Sequence, residues 1–241
     1  MSGDDRPVAL ITGSRGGIGK VILSCLRRDG FIVVALGRSQ TGQADADLEL
    51  VGDIRNSVDC DQAIAAITAG FGRLDVLINC AGINQWQAFE DINLPEAREV
   101  FETNVWGTVN ITKAATELLF ASDQGSVVMV SSTAGERGIA GSSAYGMTKA
   151  ALNSLVRTLA VEWAKRPVRV NAVSATIIPT GMNEATRASA DYVAKKLATI
   201  PLGRMIEPIE VAEAVAYLAS SKSSGTTGDT IHIDGGVTIR G

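Results

Sequence analysis

The chain predicts an α/β protein: a doubly wound, mainly parallel seven-stranded sheet with helices on both faces. Two observations predict it. Short apolar, β-branched runs recur along the 241 residues as continuous Val/Ile/Leu stretches, the pattern of strands buried on both faces. Between them lie longer segments of helical period, so strand and helix alternate as repeated βαβ units.

Taken in order, Val8-Ala9-Leu10-Ile11 opens a strand over 8–12, followed by a helix over 17–28. The longest clean apolar run, Phe31–Leu36, supplies the second strand. Further strands are expected at 48–52, 75–78, 127–131, 168–173 and 229–233, and further helices at 57–70, 95–121, 142–165 and 208–220. Two stretches break the rhythm. Gly37 to Leu48 is polar and too short for a usual crossover helix, whereas 174–206 is long and holds a polar helix-like piece ending at Pro201. An insertion past a late strand's carboxyl end suits a substrate lid, here around 179–206. No linker, repeat or composition shift divides 1–241, which reads as one domain.

Composition bounds the function. Hydrophobic residues are 46% and charged residues 20%, which excludes a disordered or collagen-like chain. At this length about 70–75% of the unfolded surface can be buried, so no disulfide or metal staple is needed. Lys+Arg 22 against Asp+Glu 26 gives a net charge of −4, unlike a nucleic-acid or anionic-membrane binder acting by bulk charge. No apolar run approaches the roughly 18 residues of a membrane span. The polar start, Met1 to Arg6, carries no signal-peptide pattern. Cys25, Cys60 and Cys80 form no metal-spaced pair and read as reduced thiols of a cytoplasmic protein. One histidine argues against a Ser-His-Asp triad or a multi-His metal site, and no metal is expected.

Thr12-Gly13-Ser14-Arg15-Gly16-Gly17-Ile18-Gly19 closes the first strand and enters the first helix. Glycines there let the backbone turn tightly and approach a pyrophosphate, whose charge the helix N-terminus favours. Tyr145 and Lys149 stand four apart on a helix and share one face. A nearby ammonium favours the phenolate and draws tyrosine's pKa of about 10 toward the working range. Alone, such a pair is more often a packing arrangement.

The spacing T-G-x-x-x-G-x-G resembles that of the short-chain dehydrogenase/reductase family, and further motifs follow in the family's order. They are Asn79-Cys80-Ala81-Gly82, with Cys80 in place of an Asn; Asn104 in Thr103–Gly107; Ser131-Ser132; Tyr145-x-x-x-Lys149; Asn171-Ala172-Val173; Pro201-Leu202-Gly203-Arg204; and Asp234-Gly235-Gly236. The resemblance covers 7–241 and points to the 3-oxoacyl-carrier-protein-reductase-like branch, hence a single-domain Rossmann fold.

By this resemblance Tyr145 is the acid or base at the substrate oxygen and Lys149 lowers its pKa and holds the nicotinamide ribose. Ser132 hydrogen-bonds the substrate oxygen, with Ser131 the less favoured choice, and Asn104 supports Lys149 through a water, with a helix-kinking amide as its other role. Gly13, Ser14, Arg15, Gly17, Ile18 and Gly19 would cradle the pyrophosphate. Asp53 and Ile54 would meet adenine, with capping of the next helix as Asp53's other role. Asn79, Ala81 and Gly82 would line the adenine ribose, and Ile178 and Thr180 the carboxamide. Trp86, Ile139 and Met182 are candidate substrate contacts, with Phe89 beside Trp86, and His232 reads as structural. Ala175-Thr176 replaces the family's usual Pro-Gly.

Gly37-Arg38 stands where an NAD enzyme places a carboxylate. Arginine favours a 2′-phosphate where a carboxylate would repel it, so the expected cofactor is NADP(H), with Arg38 favoured over Arg15 as the clamp. The expected activity is NADP(H)-dependent interconversion of a ketone, aldehyde or 3-oxoacyl group and its alcohol. An NAD-dependent alcohol, sugar or polyol dehydrogenase, or a non-catalytic NADP(H)-binding scaffold, are the other readings. A homotetramer packed through 95–121 and 142–165, acting on a small molecule, completes the expectation.

Overall fold

The computed structural model describes residues 5–40, 42, 46–179 and 190–239. Seven strands form one sheet: β1 (Val8–Thr12), β2 (Ile32–Gly37), β3 (Leu48–Val51), β4 (Val76–Asn79), β5 (Gly125–Ser132), β6 (Val168–Ala175) and β7 (Thr230–Ile233). Their order is β3-β2-β1-β4-β5-β6-β7, and every neighbouring pair is parallel. The sheet is therefore wholly parallel, and it lies in a single domain with helices around it.

Successive side chains of a strand point to opposite faces. Ala9 and Ile11 of β1 join one apolar cluster and Val8 and Leu10 the other. The first face is covered by α1 (Gly17–Arg28) and α7 (Pro208–Ala219), through Ile22, Leu26, Val211 and Val215. The second is covered by α2 (Ser57–Phe71), α4 (Gly107–Ala121) and α5 (Ser143–Glu162), through Ile67, Ile111, Leu119, Leu152 and Val156. Burying each such side chain contributes about 1.5–3 kcal/mol.

The helix expected over 95–121 is interrupted. It comprises α3 (Leu94–Phe101), a π turn (Glu102–Trp106) and α4. The wide turn admits an extra residue and sets Asn104, fully buried, toward the loop after β4. Of the segment expected to form a lid, the described part includes α6 (Ala190–Leu197) and the turn after it; Thr180 and Met182 lie outside the described residues.

At the amino-terminal edge of the sheet, the buried Asp75 carboxylate accepts the Val8 N–H at 2.8 Å, two Arg73 N–H groups at 2.8 Å and the Ser122 hydroxyl at 2.6 Å. One side chain thus ties β1, β4 and the end of α4.

Candidate active site

The order in which strands are added reverses between β1 and β4, whose carboxyl ends lie side by side with Thr12 opposite Asn79. That switch point opens a crevice above the sheet. Thr12 Oγ1 accepts the N–H groups of Cys80 and Ala81, both at 3.2 Å, and so fixes the β4 loop against the glycine loop. Gly13 has φ +72°, and a Cβ on it would come within 2.6 Å of Ala81 Cα. A Cβ on Gly19 would overlap the Gly13 carbonyl oxygen. These two glycines make the turn possible. α1 then opens at Gly16 with no side-chain cap and no acidic residue in its first turn, which leaves its free N–H groups and positive end directed at the crevice.

The crevice is a cavity of about 980 Å³ running from the arginines at one end to Ser132, Tyr145 and Lys149 at the other. Gly13, Arg15, Gly17, Ile18, Gly19, Arg38, Asp53, Ile54, Ala81, Gly82 and Ile178 all line it. Ser14 and Asn79 do not. Ser14 is buried, and the Asn79 amide turns away to donate to Thr112 of α4 at 3.0 Å.

At the arginine end, Arg15 reaches over Gly37, where a Cβ would be 3.4 Å from its Cδ, and donates to Ser39 Oγ. Arg15 and Arg38 therefore flank the end of β2 together. Asp53 does not cap α2; Asn56 does, by accepting the Val58 N–H at 3.0 Å. Asp53 instead pairs with Arg55, Nη2 to Oδ2 at 2.6 Å, and this guanidinium holds its carboxyl below the usual range. Arg55 also lines the cavity. Sequence reasoning missed it, although it stands two residues from Asp53.

At the other end, Ser131 is buried and donates to Asn153 at 2.6 Å, whereas the side chain of Ser132 lies beside that of Tyr145 in the cavity lining. Ser132 Oγ also accepts the Ala134 N–H at 3.2 Å. Burial pushes the Tyr145 phenol up to about 12, opposed by the neighbouring Ser132 hydroxyl. Lys149 is buried, donates to the Val130 carbonyl at 2.8 Å, and lies 5.5 Å from the Tyr145 ring centre. Burial draws its ammonium down to about 8. Desolvation, rather than the neighbouring ammonium, thus dominates the phenol here. Cys80 lines the cavity beside Lys149, and burial raises its thiol to about 11.

Asn104 does not line the cavity. Its amide accepts the Ile83 N–H at 2.8 Å and donates to the Ile83 carbonyl at 2.9 Å and to Thr148 Oγ1 at 3.1 Å. Trp86 is 45% exposed and lines neither this cavity nor a smaller one that Ile139 and Phe89 border. His232 pairs with Glu136.

A parallel doubly wound sheet, a glycine-built crevice at its switch point and a Ser–Tyr–Lys cluster on the crevice floor define a dinucleotide-binding α/β protein. A family model described as enoyl-(acyl carrier protein) reductase matches residues 13–238. The chain is 34% identical over 238 residues to the 3-oxoacyl-acyl-carrier-protein reductase of Vibrio cholerae, covering 95% of this chain and 96% of that protein. It is 34% identical over 231 residues to the L-xylulose reductase of Bos taurus, covering 95% of each. A gluconate 5-dehydrogenase from Burkholderia cenocepacia, solved with NADP and tartrate, superposes with a TM-score of 0.92 at 25% identity, covering 99% of this chain and 97% of that one. The chain belongs to the short-chain dehydrogenase/reductase family, in its 3-oxoacyl-carrier-protein-reductase-like branch. It is an oxidoreductase of a family that binds NAD(P).

Proposed function

We propose that the chain is a cytoplasmic, homotetrameric, NADP(H)-dependent oxidoreductase that interconverts a carbonyl compound and its alcohol. One observation carries the reading: a single cavity is lined by Arg15 and Arg38 at one end and by Ser132, Tyr145 and the buried Lys149 at the other. The residues fit the cofactor. Gly13 and Gly19 let the turn close against Ala81 and onto itself, which brings the open N-terminus of α1 to the crevice where a pyrophosphate would lie, and a Cβ on Gly82 would lie 3.8 Å from Lys149 Nζ in that crevice. Arg15 and Arg38 would hold a 2′-phosphate by charge and by their fork geometry. When bound, the nicotinamide supplies or accepts the hydride.

The protein groups do the rest. Ser132 Oγ orients the substrate oxygen and Tyr145 Oη. Tyr145, a neutral phenol at pH 7, donates its proton to the forming alkoxide and takes it back in alcohol oxidation. Lys149 places a buried positive charge beside both, which favours the developing negative oxygen. Asn104 and Thr148 are positioning residues: Thr148 donates to the Tyr145 carbonyl at 2.7 Å and links the amide of Asn104 to the helix that carries Tyr145 and Lys149. The Vibrio and bovine relatives are named as reductases, and the Burkholderia structure holds NADP, in keeping with this direction and cofactor.

The test is NADPH oxidation against a panel of ketones, aldehydes and 3-oxoacyl thioesters, with wild type and Tyr145→Phe. Turnover that falls by about 10²–10⁴-fold in the variant, with cofactor binding retained, is the expected result. Undiminished turnover in Tyr145→Phe would remove the mechanism.

A further inference from the structure

Asp53 and Arg55 follow the carboxyl end of β3 on one short turn, and both line the cavity. The Asp53 carboxylate is already occupied by its neighbour. Arg55 donates from Nε to Oδ1 at 3.1 Å and to Oδ2 at 2.9 Å, and from Nη2 to Oδ2 at 2.6 Å. Its main-chain N–H adds a further bond to Oδ1 at 3.0 Å. A carboxylate has about four lone-pair sites, so four such contacts leave it little capacity to accept from a ligand.

The remaining guanidinium nitrogen, Nη1, faces Glu99 Oε1 of α3 at 3.5 Å, and Glu99 also lines the cavity. All three nitrogens of Arg55 are thus directed at carboxylates in the plane of the group. What a guanidinium held this way has left to offer is its flat face, and 34% of the side chain is accessible. The turn beneath it is fixed by other residues. Asn110 of α4 donates to the carbonyls of Ile54 at 3.1 Å and Arg55 at 3.2 Å, and Asp59 accepts the Asp53 N–H at 2.8 Å.

We propose that Arg55 is the purine-binding residue of this site: its guanidinium face stacks on the base of the dinucleotide, and Asp53 and Glu99 are positioning residues that hold its plane. A planar, delocalised cation stacks on aromatic faces, and a contact to the face of a ring is indifferent to the groups on its edge. Asp53 then serves the base through Arg55 rather than by reading its amine, a departure from the direct adenine contact that the family resemblance implies. The inference rests on the dinucleotide reading above, but on neither its preference for NADP(H) nor its turnover.

The test is calorimetric binding of whichever of NADPH and NADH the protein holds more tightly, set against the same dinucleotide with unsubstituted purine in place of adenine. Removing only the 6-amino group should change the affinity by less than about threefold, whereas losing a hydrogen bond to a charged Asp53 costs about tenfold or more. Arg55→Ala should weaken both dinucleotides alike, by about threefold or more. Arg55→Lys, which keeps the charge and loses the plane, should weaken them as much. Its turn retains the Asn110 and Asp59 bonds, so its melting temperature should match wild type, which keeps the test sound if Arg55→Ala disturbs the fold. A larger preference for adenine, or wild-type binding in both variants, would overturn the proposal. A protein that binds neither dinucleotide fails the earlier reading and this one together. One that favours NADH, or turns no carbonyl over, fails the earlier reading alone.

Discussion

Asn104 closes two hydrogen bonds on the main chain of one residue, Ile83, accepting its N–H at 2.8 Å and donating to its carbonyl at 2.9 Å. A side-chain amide used this way substitutes for a strand partner. It holds the loop that follows β4, with Gly82 and Cys80, against the crevice without a β ladder. The π turn places the amide at that loop, and the third bond, to Thr148, couples the loop to α5. With both amide N–H groups engaged, any contact of this side chain with water toward Lys149 is limited to the remaining lone pair of Oδ1.

Asn104→Ala therefore leaves the buried Ile83 N–H and carbonyl unpaired and should cost about 2–4 kcal/mol of stability. Chemical denaturation measures that loss. Turnover should fall as well, because the loop that flanks Lys149 is released; a purely catalytic role for Asn104 would leave stability unchanged.

The pH dependence follows from Lys149 and Tyr145. With the ammonium drawn down to about 8 and the phenol pushed up to about 12, the pair below pH 8 is cation plus neutral acid, the state that donates a proton. Carbonyl reduction should hold at neutral pH and decline as pH rises through about 8. Lys149→Met should remove that decline along with most of the activity. The stability effect has a definite sign. Because the folded pKa is below the ordinary 10.5, burying the ammonium costs stability below pH 8, and the cost fades between about 8 and 10.5. Thermal melts of wild type and Lys149→Met across this range check it.

Asp75 governs the acid limb. Burial, the largest influence, pushes its carboxyl up, but Arg73, Ser122 and the Val8 N–H together bring it below its ordinary 3.8. The stability it contributes is complete above that ordinary value and is lost as pH falls through the lower folded one. Asp75→Asn should cost about 2–4 kcal/mol at pH 7, shown by urea midpoints, and flatten the loss of stability on acidification.

How far these elements were legible differs by residue. The central strands were readable because β1, β2 and β5 are buried on both faces and carry unbroken apolar runs. Their ends moved by a residue or two, as with β4, which runs to Asn79 rather than 78. The break at 102–106 was readable only as the second role considered for Asn104, a helix-kinking amide: Thr103, Asn104 and Val105 continue a helical pattern, and the partner that the π turn gives Asn104, Ile83, is set by the fold. Ser132, Tyr145 and Lys149 came from motif spacing, and the structure brings them together. Arg55 escaped notice because a lone surface-type charge has no sequence signature; only the fold shows which cavity it borders. Asn79 was misplaced for the converse reason, since motif membership does not say which face of a strand a side chain takes.

Cofactor preference turns on the charge at the end of β2. Arg15 and Arg38 both flank Gly37, and among the described residues β2 itself ends without a carboxylate. Paired fluorescence titrations with NADPH and NADH, on wild type and on the Arg15→Ala/Arg38→Ala double variant, test it directly. The account predicts NADPH at least tenfold tighter than NADH for wild type, about 1.4 kcal/mol, with the gap closed in the double variant. Equal affinities, or tighter NADH, would contradict it and move the NAD-linked alcohol dehydrogenase reading to first place.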